Sequence, residues 1–219
     1  SYARWLDLDS NDDLDAGAGV AIELTRSAPE GVSGQVAIPG VWIDTVTLDG
    51  REFFQWTLPE YGYTSVVGEP QLPVIRNWLI APEEVAVTAN LEGDSQLISV
   101  ADIGWDIALV PVQKPVVKLP NEIETAPLDL NELVYQGDQF EPGATIQVSV
   151  DGVIAGQQLL MLEIAPFSYN PVAGEIEIFQ TMQFDVVFGT RLSNPVALSG
   201  QEAVRLADLA INYDSDTIL

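Results

Sequence analysis

Residues 164–188, IAPFSYNPVAGEIEIFQTMQFDVVF, give the clearest indication of the fold. This stretch starts with an apolar run, turns at Asn170, Pro171 and Gly174, and continues as a segment in which apolar and polar residues alternate. Alternation with a period of two is typical of a β-strand with one buried face, and Asn, Pro and Gly favour tight turns. The stretch therefore predicts a β-hairpin.

Two Asp-Gly pairs predict further hairpins. Asp49-Gly50 separates VWIDTVTL from REFFQWTL, and Asp151-Gly152 separates ATIQVSV from VIAGQQLLMLEIAPF. Both central residues of a type I′ turn need a positive φ, and the Asp-Gly pair tolerates that conformation. Strand-like runs also lie between the hairpins, among them EVAVTANL and DIGWDIALVPV. We therefore expect a chain organised by hairpins.

A single helix is predicted, near the C terminus. Ser199 and Glu202 form a capping-box pattern ahead of residues that share one helical face. These residues are Ala203, Leu206, Ala207 and Ala210. The predicted fold class is all-β: an antiparallel two-sheet sandwich of jelly-roll or Greek-key type with one short C-terminal helix.

Large aromatic residues recur along the predicted strands. Such side chains usually lie in the core or cover its edges, and the alternative is an exposed platform for a sugar ligand. The residues that we expect in the core or at its edges are Trp56, Trp78, Trp105, Phe167, Phe184 and Phe188.

The charge balance of the chain is strongly acidic. Its 219 residues include 33 acidic and 8 basic side chains, which gives a formal net charge of -25. Nucleic acids and anionic membrane surfaces should repel such a chain. No apolar run approaches the roughly 20 residues that span a bilayer, and the first residues do not resemble a secretion signal. We expect no nucleic-acid partner and no membrane span, and any secretion signal to lie outside this sequence.

The chain contains neither cysteine nor histidine. Thiolate nucleophiles, disulfides and zinc–thiolate sites are thereby excluded, as is the commonest general base. A glycosidase-type pair of carboxylates is formally allowed, but 33 acidic residues bring two together by chance. We therefore expect the chain not to be an enzyme.

The acidic run DLDSNDDLDAGAG, residues 7–19, has oxygen-bearing side chains at alternating positions. Alternation of this kind is the ligand spacing of calcium loops, although the Gly and Glu of a helix-loop-helix site are missing. The candidate Ca²⁺ ligands are Asp7, Asp9, Asn11, Asp13 and Asp15. The alternative is a flexible acidic N-terminal segment.

The segment from Lys114 to Leu133 contains three prolines and four acidic residues. It is too polar and too rich in proline to form a central strand, and it is long enough to be functional or mobile. We therefore expect a loop in this part of the chain.

Four segments, in this order and spacing, resemble the N-terminal prodomain of gingipain-like cysteine peptidases. They are YGYTSVVGEPQLPVIRNWLIAP (61–82), PVQKPV (111–116), YQGDQFEPG (135–143) and GVIAGQQLLMLEIAPFSYNPVAGEIEIFQTMQFDVVF (152–188). The resemblance covers about Gly19 to Tyr213. It departs from the family at Ala155, where many relatives carry a basic residue.

The resemblance implies a division of the chain into an acidic segment (1–18), a prodomain β-sandwich (19–213) and the start of a linker (214–219) to a catalytic domain. It also implies a function. The chain is expected to be the pro-region of a secreted cysteine peptidase, to assist its folding, and to keep it latent by covering the active-site cleft. Its expected partner is the cognate catalytic domain.

The resemblance further implies a basic anchor in the loop after PVQKP, for a peptidase that prefers basic residues. Lys118 occupies the corresponding place, and Lys114 is the second candidate. The alternative for Lys118 is an ordinary solvated loop lysine.

Two alternative functions stay open at this point. One is a free-standing extracellular β-sandwich module that binds carbohydrate or protein, and the other is a calcium-stabilised structural domain of an adhesin.

Overall fold

The computed structural model describes residues 3–8, 17–82, 86–115, 127–154, 157–189 and 199–213. Within these ranges the chain forms twelve strands and two helices. In chain order they are β1 (Arg4–Asp7), β2 (Ala21–Ala28), β3 (Gly31–Ala37), β4 (Gly40–Leu48), β5 (Arg51–Thr57), β6 (Gly62–Tyr63), β7 (Pro73–Pro82), β8 (Val87–Ser99), α1 (Glu132–Tyr135), β9 (Thr145–Ile154), β10 (Gln157–Ala165), β11 (Phe167–Asn170), β12 (Glu175–Phe188) and α2 (Gly200–Leu209).

The strands pair antiparallel in three sheets. The first has the order β1-β4-β5 and the second has the order β6-β7-β10-β9. The third has the order β11-β12-β3-β2, and β8 lies along the other edge of β12. The predicted all-β antiparallel sandwich is confirmed, with the hydrogen-bonded ladders divided among three sheets. The one-turn helix α1 is an addition to the single helix that the sequence predicted.

One apolar core joins the three sheets. Edge-to-face ring contacts link the first sheet to the third, with centroids 5.8 Å apart for Trp56 and Phe167 and 5.9 Å apart for Phe54 and Tyr169. Among the predicted core aromatics, four are buried and two are partly buried. The buried ones are Trp56, Phe167, Phe184 and Phe188, and the partly buried ones are Trp78 and Trp105.

The hairpin of residues 164–188 is confirmed. Phe167 pairs with Ile178 across β11 and β12, and the side chain of Asn170 closes the turn between them. Its Oδ1 accepts hydrogen bonds from the backbone N–H groups of Val172 (3.1 Å) and Ala173 (3.0 Å). Such a bond replaces a backbone partner in the turn, which is why Asn favours this position.

The Asp49-Gly50 hairpin is also confirmed. Leu48 pairs with Arg51, and the two turn residues have φ values of 47° and 73°. Positive φ at both positions defines the type I′ turn and explains the Asp-Gly pair.

The prediction of a turn at Asp151-Gly152 is wrong. Both residues lie inside β9, whose pairing with β10 continues until Ile154 opposes Gln157. Gly152 pairs with Leu159 and Val150 pairs with Leu160, so Asp151 is the extra residue of a β-bulge. The longer ladder satisfies more backbone groups than a turn at this point would, and the bulge accommodates the additional residue.

The prediction of a strand over residues 102–112 is wrong as well. Residues 101–104 form a turn, and the following residues make isolated bridges, Leu109 with Phe54 and Pro111 with Pro70. A proline has no backbone N–H to donate to a ladder, which limits pairing here.

The C-terminal helix is confirmed, including its cap. The Ser199 side chain accepts a hydrogen bond from the Glu202 N–H, and the Glu202 carboxylate accepts one from the Ser199 N–H at 2.8 Å. The helix ends at a parallel bridge between Ala210 and Trp78, which attaches the C-terminal end of the described chain to β7.

Candidate functional site

Three chain segments meet at one place. They are the turn of residues 66–71, residues 109–114 and residues 129–135. The backbone N–H of Gly68 donates to the Val112 carbonyl at 2.8 Å, and the Val112 N–H donates to the Glu69 carbonyl at 2.8 Å. The Asn131 N–H in turn donates to the Gly68 carbonyl at 2.8 Å. These backbone bonds form a base that holds residues 112 and 131, on either side of the Pro-rich segment, close to each other.

Gly68 is required at the centre of this base. Its φ is +85°, in the left-handed region, and an added Cβ would lie 2.9 Å from the Asn131 backbone nitrogen. Any side chain would therefore be strained and would push the returning end of the loop away. This glycine lies in the segment 61–82, one of the four segments on which the family resemblance rests.

The side-chain amide of Gln113 joins the two ends of the loop. Its Nε2 donates to the Asp129 carbonyl at 2.9 Å, and its Oε1 accepts from the Asp129 N–H at 3.0 Å. The same Nε2 donates to the Pro111 carbonyl at 3.1 Å, so both amide protons have an acceptor. One side chain thus makes the pair of bonds that a neighbouring strand would make with Asp129.

An ion pair reinforces the same junction. The Lys114 Nζ lies 2.7 Å from Asp129 Oδ1, with side-chain exposures of 70% and 25%. The hydrogen bond from Lys114 holds the pKa of the Asp129 carboxyl below its usual value. Because the lysine is mostly exposed, water screens the pair and its contribution to stability is small. We call Gln113, Lys114 and Asp129 the loop clamp.

Helix α1 follows the loop clamp and is fixed to the core by Tyr135. The Tyr135 hydroxyl donates to the Leu109 carbonyl at 2.7 Å, and burial raises the pKa of this phenol well above its usual value. Desolvation raises the pKa of the neighbouring Tyr169 in the same way. On the other side of the helix Leu133 is 86% exposed. The helix is therefore anchored on one face and presents an apolar side chain on the other.

The structure describes only one of the two lysines that were predicted as anchors. Lys114 belongs to the loop clamp, where it is paired with Asp129. Lys118 lies outside the described residues. Arg76 is paired elsewhere: its Nε lies 2.6 Å from Glu163 Oε2 across β7 and β10.

The predicted calcium ligands fall mostly outside the described part of the chain. Asp7 lies in β1, opposite Gly40 of β4, and already takes part in an interaction. Asp9, Asn11, Asp13 and Asp15 are outside the described residues. Within the described ranges, no group of three acidic side chains is arranged to hold a metal ion. The calcium site stays a prediction.

Reading the sequence did not identify Gln113 and Asp129 as functional residues. Gln113 stands in the PVQKPV segment, and Asp129 is one of several acids in the loop. The only local signal is a polar, hydrogen-bonding residue placed two positions before Pro115, at the start of the Pro-rich segment. Its partner Asp129, 16 residues later in the chain, comes close only in the folded structure, and no sequence pattern marks it.

No helix within the described ranges is long and apolar enough to cross a membrane.

Comparison with known proteins identifies relatives of this chain and of its fold. A family model described as Propeptide_C25 matches residues 25–214. The chain is 24% identical to Lys-gingipain HG66 and to Lys-gingipain W83, both of Porphyromonas gingivalis, over 149 residues. That alignment covers 68% of this chain and 8% of each relative, so the chain corresponds to a small part of their length.

Two solved structures share the fold. The first comes from a study of the zymogenic latency of gingipain K from Porphyromonas gingivalis, with a TM-score of 0.72, 20% identity, and coverage of 86% of this chain and 100% of the matched one. The second is a complex of the pro- and mature domains of Porphyromonas gingivalis RgpB, with a TM-score of 0.72, 18% identity, and coverage of 88% and 98%.

The fold and the family match define a class of protein, the all-β pro-regions. The chain belongs to the Propeptide_C25 family, whose model matches most of its length. It is therefore a pro-region and a non-catalytic one, as the resemblance of its sequence implied.

Proposed function

We propose that this pro-region keeps a gingipain-like cysteine peptidase latent by covering its active-site cleft, and that it assists the folding of that peptidase. Its partner is the catalytic domain of the same precursor. The titles of the two structural matches support the proposal, since one concerns zymogenic latency and the other a complex of pro- and mature domains. The same proposal places the protein outside the cell, secreted or at the cell surface.

The observation that carries the proposal is the loop clamp, which joins the two described ends of the Pro-rich segment. Gln113 and Asp129 join these ends, and the segment carries Lys114 and Lys118 in a chain with only 8 basic residues. Inhibitory binding energy concentrates in a few side chains that fill pockets, and a loop with fixed ends loses less conformational freedom on binding than a free one.

Lys118 is the proposed anchor. A peptidase that prefers basic residues offers an acidic group in its specificity pocket, and a lysine on the loop would form a charge-assisted hydrogen bond there. Lys114 is the less suitable of the two, because its ammonium group is already bonded to Asp129. Moving Lys114 into a pocket would break a bond of the loop clamp.

An inhibition assay tests the proposed function. The catalytic domain of the precursor is titrated with this chain, and the hydrolysis of a small peptide substrate is followed. We expect stoichiometric loss of activity at concentrations above the dissociation constant, reversed by excess substrate. Full activity in the presence of saturating chain would refute the inhibitory role.

A further inference from the structure

We propose that the free edge of β9 is a surface on which a second copy of this chain can pair, and that the β-bulge at Asp151 prevents this pairing. The inference concerns the self-association of the chain and does not depend on the proposed function. Three observations carry it, namely the position of β9 in its sheet, the exposure of its valines and the place of its single charge.

β9 is the last strand of the second sheet. One of its edges pairs with β10 from Thr145 to Ile154, and no strand in the described part of the chain pairs with the other edge. At the start of β9, Thr145 and Ile146 line a cleft together with Leu91 of β8. The open part of the edge therefore comprises residues 147–154. Unpaired N–H and C=O groups along such an edge can pair with a strand of another chain.

Two valines in this open part lie on the core side of the sheet. Val150 pairs with Leu160, which is fully buried, and Val153 pairs with Gln158, which is 7% exposed. Side chains that oppose each other on neighbouring antiparallel strands lie on the same face of the sheet. The two valines are nevertheless 60% and 53% exposed, as expected on the last strand of a sheet. A strand added at this edge would cover both.

The charges along the free edges favour a second copy of the chain as the added strand. β9 has one charged residue among its ten, Asp151, in a chain with a formal net charge of -25. The edge strand β2 carries Glu23 and Arg26, and the edge strand β8 carries Glu92 and Asp94. Two β9 strands can pair antiparallel about a two-fold axis, because each supplies the same donors and acceptors. Apart from Asp151, this pairing brings no like charges together along the two strands.

The bulge at Asp151 opposes the pairing in two ways. Val150 pairs with Leu160 and Gly152 pairs with Leu159, so Asp151 is an extra residue that disturbs the regular spacing of backbone groups along the strand. The middle of the open part also falls at Val150 and Asp151, so the Asp151 carboxylates of two paired copies would lie close together and repel each other. Bulges and charges are common protections of strand edges, and β2 has a bulge in its ladder with β3 as well.

The test removes the bulge by deleting Asp151. Val150 and Gly152 already oppose consecutive residues of β10, so the deletion leaves the register of the ladder unchanged. We expect the wild-type chain to sediment as a monomer at about 100 µM and the deletion variant to form a dimer at that concentration. Asp151→Val removes the charge but keeps the extra residue. It should dimerise with a dissociation constant about tenfold higher than that of the deletion variant.

The matched control is Asp106→Val, which makes the same substitution at an exposed residue outside the strands. This variant should stay monomeric, and thermal unfolding shows whether each variant is folded. A wild-type dimer, a folded deletion variant that stays monomeric, or a dimer of Asp106→Val would each overturn the inference. If the deletion variant does not fold, Asp151→Val decides the question, and a monomer would then overturn the inference.

Cysteine cross-linking locates the pairing, because the chain has no cysteine of its own. In the deletion variant, Ser149→Cys, Val150→Cys and Gly152→Cys are made one at a time across the middle of the open edge. Opposed residues of an antiparallel pair have Cα atoms about 4.5 to 5.5 Å apart, within the range of a disulfide. At least one of the three should give a disulfide-linked dimer under mild oxidation, whereas Ser95→Cys on β8 should not. Cross-linking through residue 95, with none through β9, would overturn the inference.

Discussion

The side-chain amide of Asn212 makes both of the hydrogen bonds that a neighbouring strand would make with Ile80. Its Oδ1 accepts from the Ile80 N–H at 2.8 Å, and its Nδ2 donates to the Ile80 carbonyl at 2.8 Å. The adjacent Ile211 N–H donates to the Trp78 carbonyl at 2.9 Å. Residues 210–212 thus complete the free edge of β7 beyond its short pairing with β6, and Asn212 is buried there.

This contact predicts a large loss of stability in Asn212→Ala. Two buried backbone groups of Ile80 would lose their partners, at a cost of about 2 to 4 kcal/mol in the free energy of unfolding. Urea denaturation measures the change. The control is Asn90→Ala, since Asn90 is exposed and bonds only to Glu92, and it should change the free energy by less than about 0.5 kcal/mol. Equal effects of the two substitutions would argue against the contact.

The buried phenol of Tyr135 predicts loss of stability at alkaline pH. Burial raises its pKa in the folded chain above the ordinary value of 10.0, whereas the unfolded chain ionises near that value. Above pH 10 the unfolded state therefore binds fewer protons than the folded state, and stability falls as the pH rises by at most about 1.4 kcal/mol per pH unit for this group.

Tyr135→Phe tests this linkage. The variant should be less stable at neutral pH by about 1 kcal/mol, because the Leu109 carbonyl loses its donor, but its stability should decline less steeply above pH 10. Denaturation curves collected between pH 7 and 11 provide the comparison. Parallel pH profiles for the two proteins would contradict the assignment.

The anchor assignment predicts unequal effects of the two loop lysines. Lys118→Ala should weaken inhibition of the catalytic domain by about 100-fold, the loss typical of a side chain that fills a specificity pocket. Lys114→Ala should have a small effect, because the exposed pair with Asp129 is worth less than about 1 kcal/mol. Inhibition constants measured with a small substrate decide between them. A larger effect at Lys114 would reverse the assignment.

The acidic run predicts binding of Ca²⁺ near the N terminus. If Asp9, Asn11, Asp13 and Asp15 supply ligands together with Asp7, calcium should raise the thermal midpoint and release heat in a titration. The substitution of Asp13 and Asp15 by Asn should abolish both signals. A titration that shows neither signal in the wild-type chain leaves the flexible acidic segment as the explanation of the run.

Local features of the fold could be predicted from the sequence because their causes are local. The Asp49-Gly50 turn, the Asn170 turn and the Ser199 capping box each depend on residues close together in the chain. The prediction of a turn at Asp151-Gly152 was wrong because it also depended on local composition alone. The pair has the composition of a turn, but the pairing partner of β9 extends to Gln157, and only the assembled sheet shows that.

The candidate site was harder to predict. Proline content and the family resemblance predict a loop with two candidate lysines, and that stays a prediction. The loop clamp depends on Gln113 meeting Asp129 from 16 positions away. The role of Asn212 likewise follows from its contact with Ile80, 132 positions earlier in the chain. Side-chain amides that take the place of a neighbouring strand do not recur at regular intervals in the sequence, so no sequence pattern predicts them.

The role that we propose for this chain is to occlude the active centre of a cysteine peptidase. The most direct test measures how fast a small covalent reagent labels the catalytic thiol of that peptidase, with and without saturating pro-region. The bound pro-region should slow labelling in proportion to its occupancy, and prior labelling should weaken its binding. Labelling at an unchanged rate while the pro-region is bound would contradict this role.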